Sequence, residues 1–166
     1  PGVGRCCRLS AGCAYTRRAL SGATSWTGHE LAQLLGMPGP GDTLLLAGPS
    51  GSGKTEVALN LALSLLRTTS VPVTLADLDV VKPYFRLRDM LPLVPEDDKK
   101  RLHVIEPERR LLHVDVPTFP PTLHASLSAT DRVKIVDVGG DAIGVGAVAQ
   151  FRETIGNGRH ALYVVV

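Results

Sequence analysis

Gly48, Pro49, Ser50, Gly51, Ser52, Gly53, Lys54 and Thr55 satisfy the spacing GxxxxGK[ST] in full. Glycines at these positions let the backbone bend tightly enough for successive N–H groups to converge on one concavity, which suits phosphate oxygens. The amino end of a following helix adds positive potential there. Lys54 is long enough to reach the outer phosphates of a polyphosphate as a point charge, and the Thr55 hydroxyl is a ligand type that Mg²⁺ accepts. Glu56, the next residue, is grouped with this binding segment.

Two further stretches carry carboxylates at the ends of apolar runs. RVKIVDVGG brings Asp137 to the end of a strand, the arrangement in which a carboxylate holds magnesium, directly or through water. Gly139 and Gly140 behind it allow close passage of the backbone beside a terminal phosphate, which suits a switch segment. In VPVTLADLD, Asp77 and Asp79 stand two apart at the end of another apolar run. With Lys54 they form the candidate catalytic set. Residues at i and i+2 share a face only while a strand continues, so one carboxylate is expected near the magnesium and the other as a cap of the next loop. Arg86 and Arg88 in YFRLRD either neutralise charge or act as solvated surface residues; Tyr84 and Phe85 read as packing residues.

The elements that must position these groups follow from the pattern of apolar residues. TLLLAG, VPVTLADLD and RVKIVDVGG have the length and apolarity of buried strands, and ALYVVV begins another. Residues 54–67, KTEVALNLALSLLR, have helical spacing, with Arg67 favourably near the carboxyl end. ELAQLLG is a short amphipathic stretch. Pro83 suits a first helical turn for KPYFRLRDML and Pro92 a stop. PEDDKKR is expected as a solvated turn, LHVIE as a possible strand, VPTFPPTL as irregular, and residues 144–156 as one helix. Alternating strands and helices predict an α/β fold, three layers around a mostly parallel sheet, with ligands at the carboxyl ends of the strands.

The chain has 166 residues, enough for one core. Residues 1–29 hold four arginines and no acidic residue, and are expected to form a disordered tail; an organelle-targeting peptide shares that composition. Residues 30–166 then form the nucleotide-binding domain, expected to be incomplete at its carboxyl end. A formal net charge of +2 gives no nucleic-acid signal, and no apolar run reaches the roughly 20 residues of a membrane span. Cys6, Cys7 and Cys13 lack zinc-site spacing, the five histidines match no ligand motif, and the expected setting is cytoplasmic.

GPSGSGKTEVALNLA, LADLDVVKPYFRLRD and KIVDVGGDAIG together resemble the MinD/ParA/CobQ-like group of P-loop proteins, over roughly residues 42–166. The resemblance implies a P-loop NTPase fold, binding of ATP with Mg²⁺, and a homodimer or protein partner that responds to nucleotide. It implies phosphate binding by residues 48–55, magnesium at Thr55 and Asp137, and a water-positioning carboxylate at Asp79 with Asp77 beside it. Pro49 stands where the MinD and ParA branch carries a second lysine, so that branch's cross-dimer cation is absent. The expected function is a magnesium-dependent ATPase that acts as a nucleotide-driven switch. An ATP-dependent kinase or ligase, or a nucleotide sensor without turnover, are the alternatives.

Overall fold

Leu44, Leu45 and Leu46 project alternately to the two sides of one strand, and each side meets a different hydrophobic core. The computed structural model describes residues 3–6, 16–18, 36, 38–79, 91–106, 119 and 121–165. Five strands lie parallel: β3 (Thr43–Ala47), β4 (Val73–Asp77), β5 (Leu102–Ile105), β6 (Val133–Asp137) and β7 (His160–Val165), in the spatial order β7-β3-β6-β4-β5. All five residues of β4 and of β6 are buried, as expected of strands covered on both faces.

Helix α1 (Lys54–Thr68) covers one face, where Ala58, Leu61, Ala62 and Leu65 pack on Leu44, Leu46, Leu75 and Ile135. The other face is covered by α3 (Pro121–Ser128), α4 (Ala142–Ala149) and α5 (Arg152–Gly156), through Leu123, Leu127, Ala147, Phe151 and Ile155. The result is a three-layer α/β arrangement. After β3 the chain turns into a helix on one face, whereas after the adjacent β6 it turns into helices on the other. Such a reversal between neighbouring strands opens a crevice at their carboxyl ends.

Several elements differ from the sequence expectation. Val3–Cys6 (β1) pairs antiparallel with β7, and Thr16–Arg18 (β2) pairs antiparallel with β1, so these residues extend the sheet where a disordered tail was expected. The backbone groups at an open sheet edge are a pairing template that asks little of side-chain composition. PEDDKKR contains a one-turn helix, α2 (Glu96–Lys99), held by Lys99–Glu96 and Lys100–Asp97 ion pairs, in place of a plain turn. The Pro-rich segment leads into α3, whose first residue is Pro121, where a missing N–H costs nothing. The helix expected over 144–156 is two, because Phe151 turns into the core and the Gln150 and Phe151 amides bond three residues back. Leu91–Leu93 form a 3₁₀ turn that includes Pro92. The amphipathic stretch before Gly36, the helix expected at 82–91 and its Tyr84, Phe85, Arg86 and Arg88 fall outside the described residues, Leu91 excepted. Among the described residues no helix is long and apolar enough to cross a membrane.

At the amino ends of the strands, Asp42 closes the sheet. Its carboxylate accepts from Gly39 N–H and from both Nε and Nη2 of Arg159. Burial alone would raise the Asp42 pKa, but the Arg159 and Gly39 hydrogen bonds and the charges of Arg159 and Lys134 outweigh it, leaving the group below the ordinary aspartate value. A carboxylate held below its unfolded value stabilises the native state at pH above the unfolded value, and that stabilisation is lost as pH falls through the folded value. Asp42→Asn should therefore lower stability at neutral pH by about 1–2 kcal/mol. In denaturant melts the gap between wild type and variant should narrow below about pH 4, where the Asp42 carboxylate of the unfolded chain takes up a proton before that of the folded chain does.

Candidate functional site

Residues 48–53 connect β3 to α1 and form a loop that closes on its own backbone. The Pro49 carbonyl accepts from Ser52 N–H at 3.3 Å and from Lys54 Nζ at 2.9 Å. Gly53 is the helix N-cap at φ 82°, a left-handed conformation that glycine adopts without steric cost. No side chain caps this end of α1. The first amides of a helix have no acceptor inside it, which makes an uncapped amino end a general site of positive potential. Pro49, Ser50 and Gly51 are exposed on the loop; Lys54 and Thr55 are buried in the first turn. Glu56, also in that turn, is exposed, and its backbone carbonyl accepts from Asn60.

Thr55 Oγ1 donates a short hydrogen bond to Asp137 Oδ2 across 82 positions of sequence. Sheet register explains the meeting: Leu46 pairs with Asp137, and Val138 N–H continues the ladder to the Leu46 carbonyl. Asp137 is completely buried. On its other side it pairs with Asp77, whose strand is extended in the same way by Leu78 N–H bonding to the Asp137 carbonyl. Asp77, Asp137 and the glycine loop thus share one sheet end.

The two carboxylates of LADLD part company where β4 stops. Asp77 Oδ1 accepts from Asp79 N–H at 2.9 Å, which turns the chain and makes Asp77 the loop cap. Asp79 is carried over the neighbouring loop, and its Oδ1 would lie 3.3 Å from a β-carbon built on Gly139. Of the sequence candidates, Lys54, Thr55, Asp77, Asp79 and Asp137 are therefore grouped around residues 48–53 and 138–140, whereas the side chain of Glu56 is turned to solvent.

A backbone approach holds the two loops together. A β-carbon on Gly140 would lie 2.1 Å from the Gly48 carbonyl oxygen and 3.0 Å from the Pro49 nitrogen. Behind it, Asp141 caps α4 by accepting from Gly144 N–H, and a β-carbon on Gly144 would strike the Gly139 carbonyl at 2.3 Å. Asp141 and Gly144 were not singled out from the sequence; an Asp three residues before the bonded amide is the capping signal that could have found them.

Among the described residues no three His, Cys, Asp or Glu side chains converge as a metal cage. Thr55 and Asp137 offer one hydroxyl and one carboxylate oxygen. That pair fits Mg²⁺, which keeps several waters and takes the rest of its octahedron from one or two protein groups and phosphate oxygens. The same pair fits poorly with zinc, which takes three or four protein ligands. No protein family, curated protein or solved structure that was compared with this chain matches it.

Gly140→Ala should destabilise the fold by about 1–3 kcal/mol, because the added methyl meets backbone and not a movable side chain. Gly146→Ala is the control: nothing lies within 4 Å of its β-carbon, it is exposed within α4, and a gain of roughly 0.5–1 kcal/mol is expected. Urea melts of the two variants should move in opposite directions.

Proposed function

We propose that this chain is the nucleotide-binding domain of a magnesium-dependent P-loop NTPase, similar to the MinD/ParA/CobQ-like group, and that it works as an ATPase whose turnover switches the binding of a protein partner. The observation that carries the reading is the hydrogen bond between Thr55 and Asp137 at the uncapped amino end of α1, beside buried Lys54.

In this reading the loop amides receive the β-phosphate and Lys54 moves from the Pro49 carbonyl to the β- and γ-phosphate oxygens. Thr55 and Asp137 hold Mg²⁺, which supplies neutralisation of the charge on those phosphates. Asp79, carried over Gly139, positions the attacking water, and Asp77 fixes Asp79 through its amide. Catalysis is then chiefly orientation and electrostatic stabilisation in a site already organised by buried backbone. Choice of ATP over GTP is supported by the resemblance of GPSGSGKT, LADLD and KIVDVGG to that group.

Isothermal titration with ATP and with GTP, each with and without Mg²⁺, tests the proposal. MgATP should bind, Lys54→Ala should lose at least about tenfold in affinity with its melting curve retained, and Asp137→Asn should lose most of the affinity that Mg²⁺ adds. Phosphate should be released from ATP with no added acceptor. Undiminished MgATP binding by Lys54→Ala, or no nucleotide binding by the wild type, overturns the assignment.

A further inference from the structure

At the carboxyl end of α1, the end remote from the glycine loop, two arginines from different parts of the chain come together. Arg67 lies in the last turn of α1, and Arg101 stands just before β5, where its carbonyl accepts from Val73 N–H at the start of β4. Between them opens a cleft of about 530 Å³ lined by Leu66, Arg67, Thr68, Thr69, Ser70 and Arg101.

The Arg101 guanidinium is fixed in place, since Nη1 and Nη2 donate to the Thr69 and Leu66 carbonyls at 2.8 and 2.5 Å. The Thr68 and Thr69 hydroxyls donate to the Ser64 and Leu65 carbonyls. These bonds occupy the carbonyl oxygens whose partial negative charge would otherwise repel an anion from this end of a helix.

The charges around the cleft do not balance. Asp98 faces both guanidiniums, 3.9 Å from Arg67 Nε and 3.5 Å from Arg101 Nη2. The other acids of α2 are engaged, Glu96 by Lys99 and Asp97 by Lys100. One positive charge is left over. Capping of α1 accounts for Arg101, but it leaves the outer nitrogens of Arg67 and the hydroxyl of exposed Ser70 with no hydrogen bond among the described residues.

We infer that this cleft binds a small anion bearing carboxylate or phosphate oxygens. The outer fork of Arg67 and the Ser70 hydroxyl hold it, and Arg101 supplies a fixed positive charge behind them. A guanidinium fork matches the paired oxygens of either group, and the volume is that of a small-molecule site. The 15 residues of α1 separate this cleft from the glycine loop by about 22 Å, so the inference is independent of what fills that loop.

Citrate and inorganic phosphate, each titrated into isotopically labelled protein at low ionic strength, test it through backbone amide shifts. Either anion should move the signals of Thr68, Thr69, Ser70 and Arg101, and the tighter of the two assigns the chemistry as carboxylate or phosphate. Arg67→Ala should weaken binding at least about tenfold, and Ser70→Ala by roughly three- to tenfold, with melting curves retained because both residues are exposed. Arg152→Ala, which removes a more exposed arginine from α5, should leave the affinity unchanged. No shift of these four signals with either anion, wild-type affinity in Arg67→Ala, or an equal loss in Arg152→Ala overturns the inference.

Discussion

The carbonyl of Gly48 occupies the space that any side chain at position 140 would need, and the rest of the site is arranged around that approach. Two adjacent parallel strands, β3 and β6, run in register until Val138 N–H makes the last ladder bond to Leu46. Beyond that point both chains must turn, and they turn to opposite faces of the sheet. Contact between their backbones at Gly48 and Gly140 keeps the two turns from separating, so that the first turn of α1 stays over the end of β6. Thr55 meets Asp137 as a consequence.

Polar burial at the two ends of the sheet has different characters. At the amino ends, Asp42 is matched by Arg159 and Gly39, and Lys134 donates to the Ala129 carbonyl behind α3. Burial lowers the Lys134 pKa despite the nearby charges of Asp42 and Asp131. These groups close turns and helix ends, the turn before Asp42 including Gly41 in a left-handed conformation. At the carboxyl ends, Lys54, Thr55, Asp77 and Asp137 are all buried within one crevice, next to glycines with left-handed backbone and a hydroxyl with no internal partner. Burying charge is costly unless it is paired or binds an ion, and concentrating it where a sheet reverses its connections is the arrangement expected of a ligand site.

Much of this was legible because the informative signals are local. The β3-to-α1 segment combines a buried strand, a glycine loop and a helix within 26 residues from Thr43 to Thr68, and each part has its own short-range pattern. β4 and β6 announce themselves as mainly apolar runs, each with one polar residue (Thr74, Lys134), ending in aspartate. What the sequence could not disclose was relative placement. The split between Asp77 as cap and Asp79 as the carboxylate over Gly139 depends on β4 ending at Asp77, a boundary set by pairing with β6. The break between α4 and α5 depends on Phe151 finding room in a core built from α3 and the sheet, where it meets Phe119 edge-on and His124 at a tilt. The β1 and β2 pairings depend on an edge of β7 that is invisible to composition.

The same reasoning explains why α4 can be made of AIGVGAVA, a sequence with two glycines and no polar side chain. Glycine inside a helix costs about 1 kcal/mol relative to alanine, so a helix with two of them needs compensation. Gly144 is required by packing, since its Cα rests on the Gly139 carbonyl and no side chain fits between. Asp141 supplies the cap that the helix's own composition lacks. The start of α4 is therefore fixed to residues 139–141 by a hydrogen bond on one side and by close backbone packing on the other. Because residue 140 is in turn pressed against Gly48, the position of α4 is tied through two glycine contacts to the glycine loop, and neither loop can shift without the helix registering the displacement.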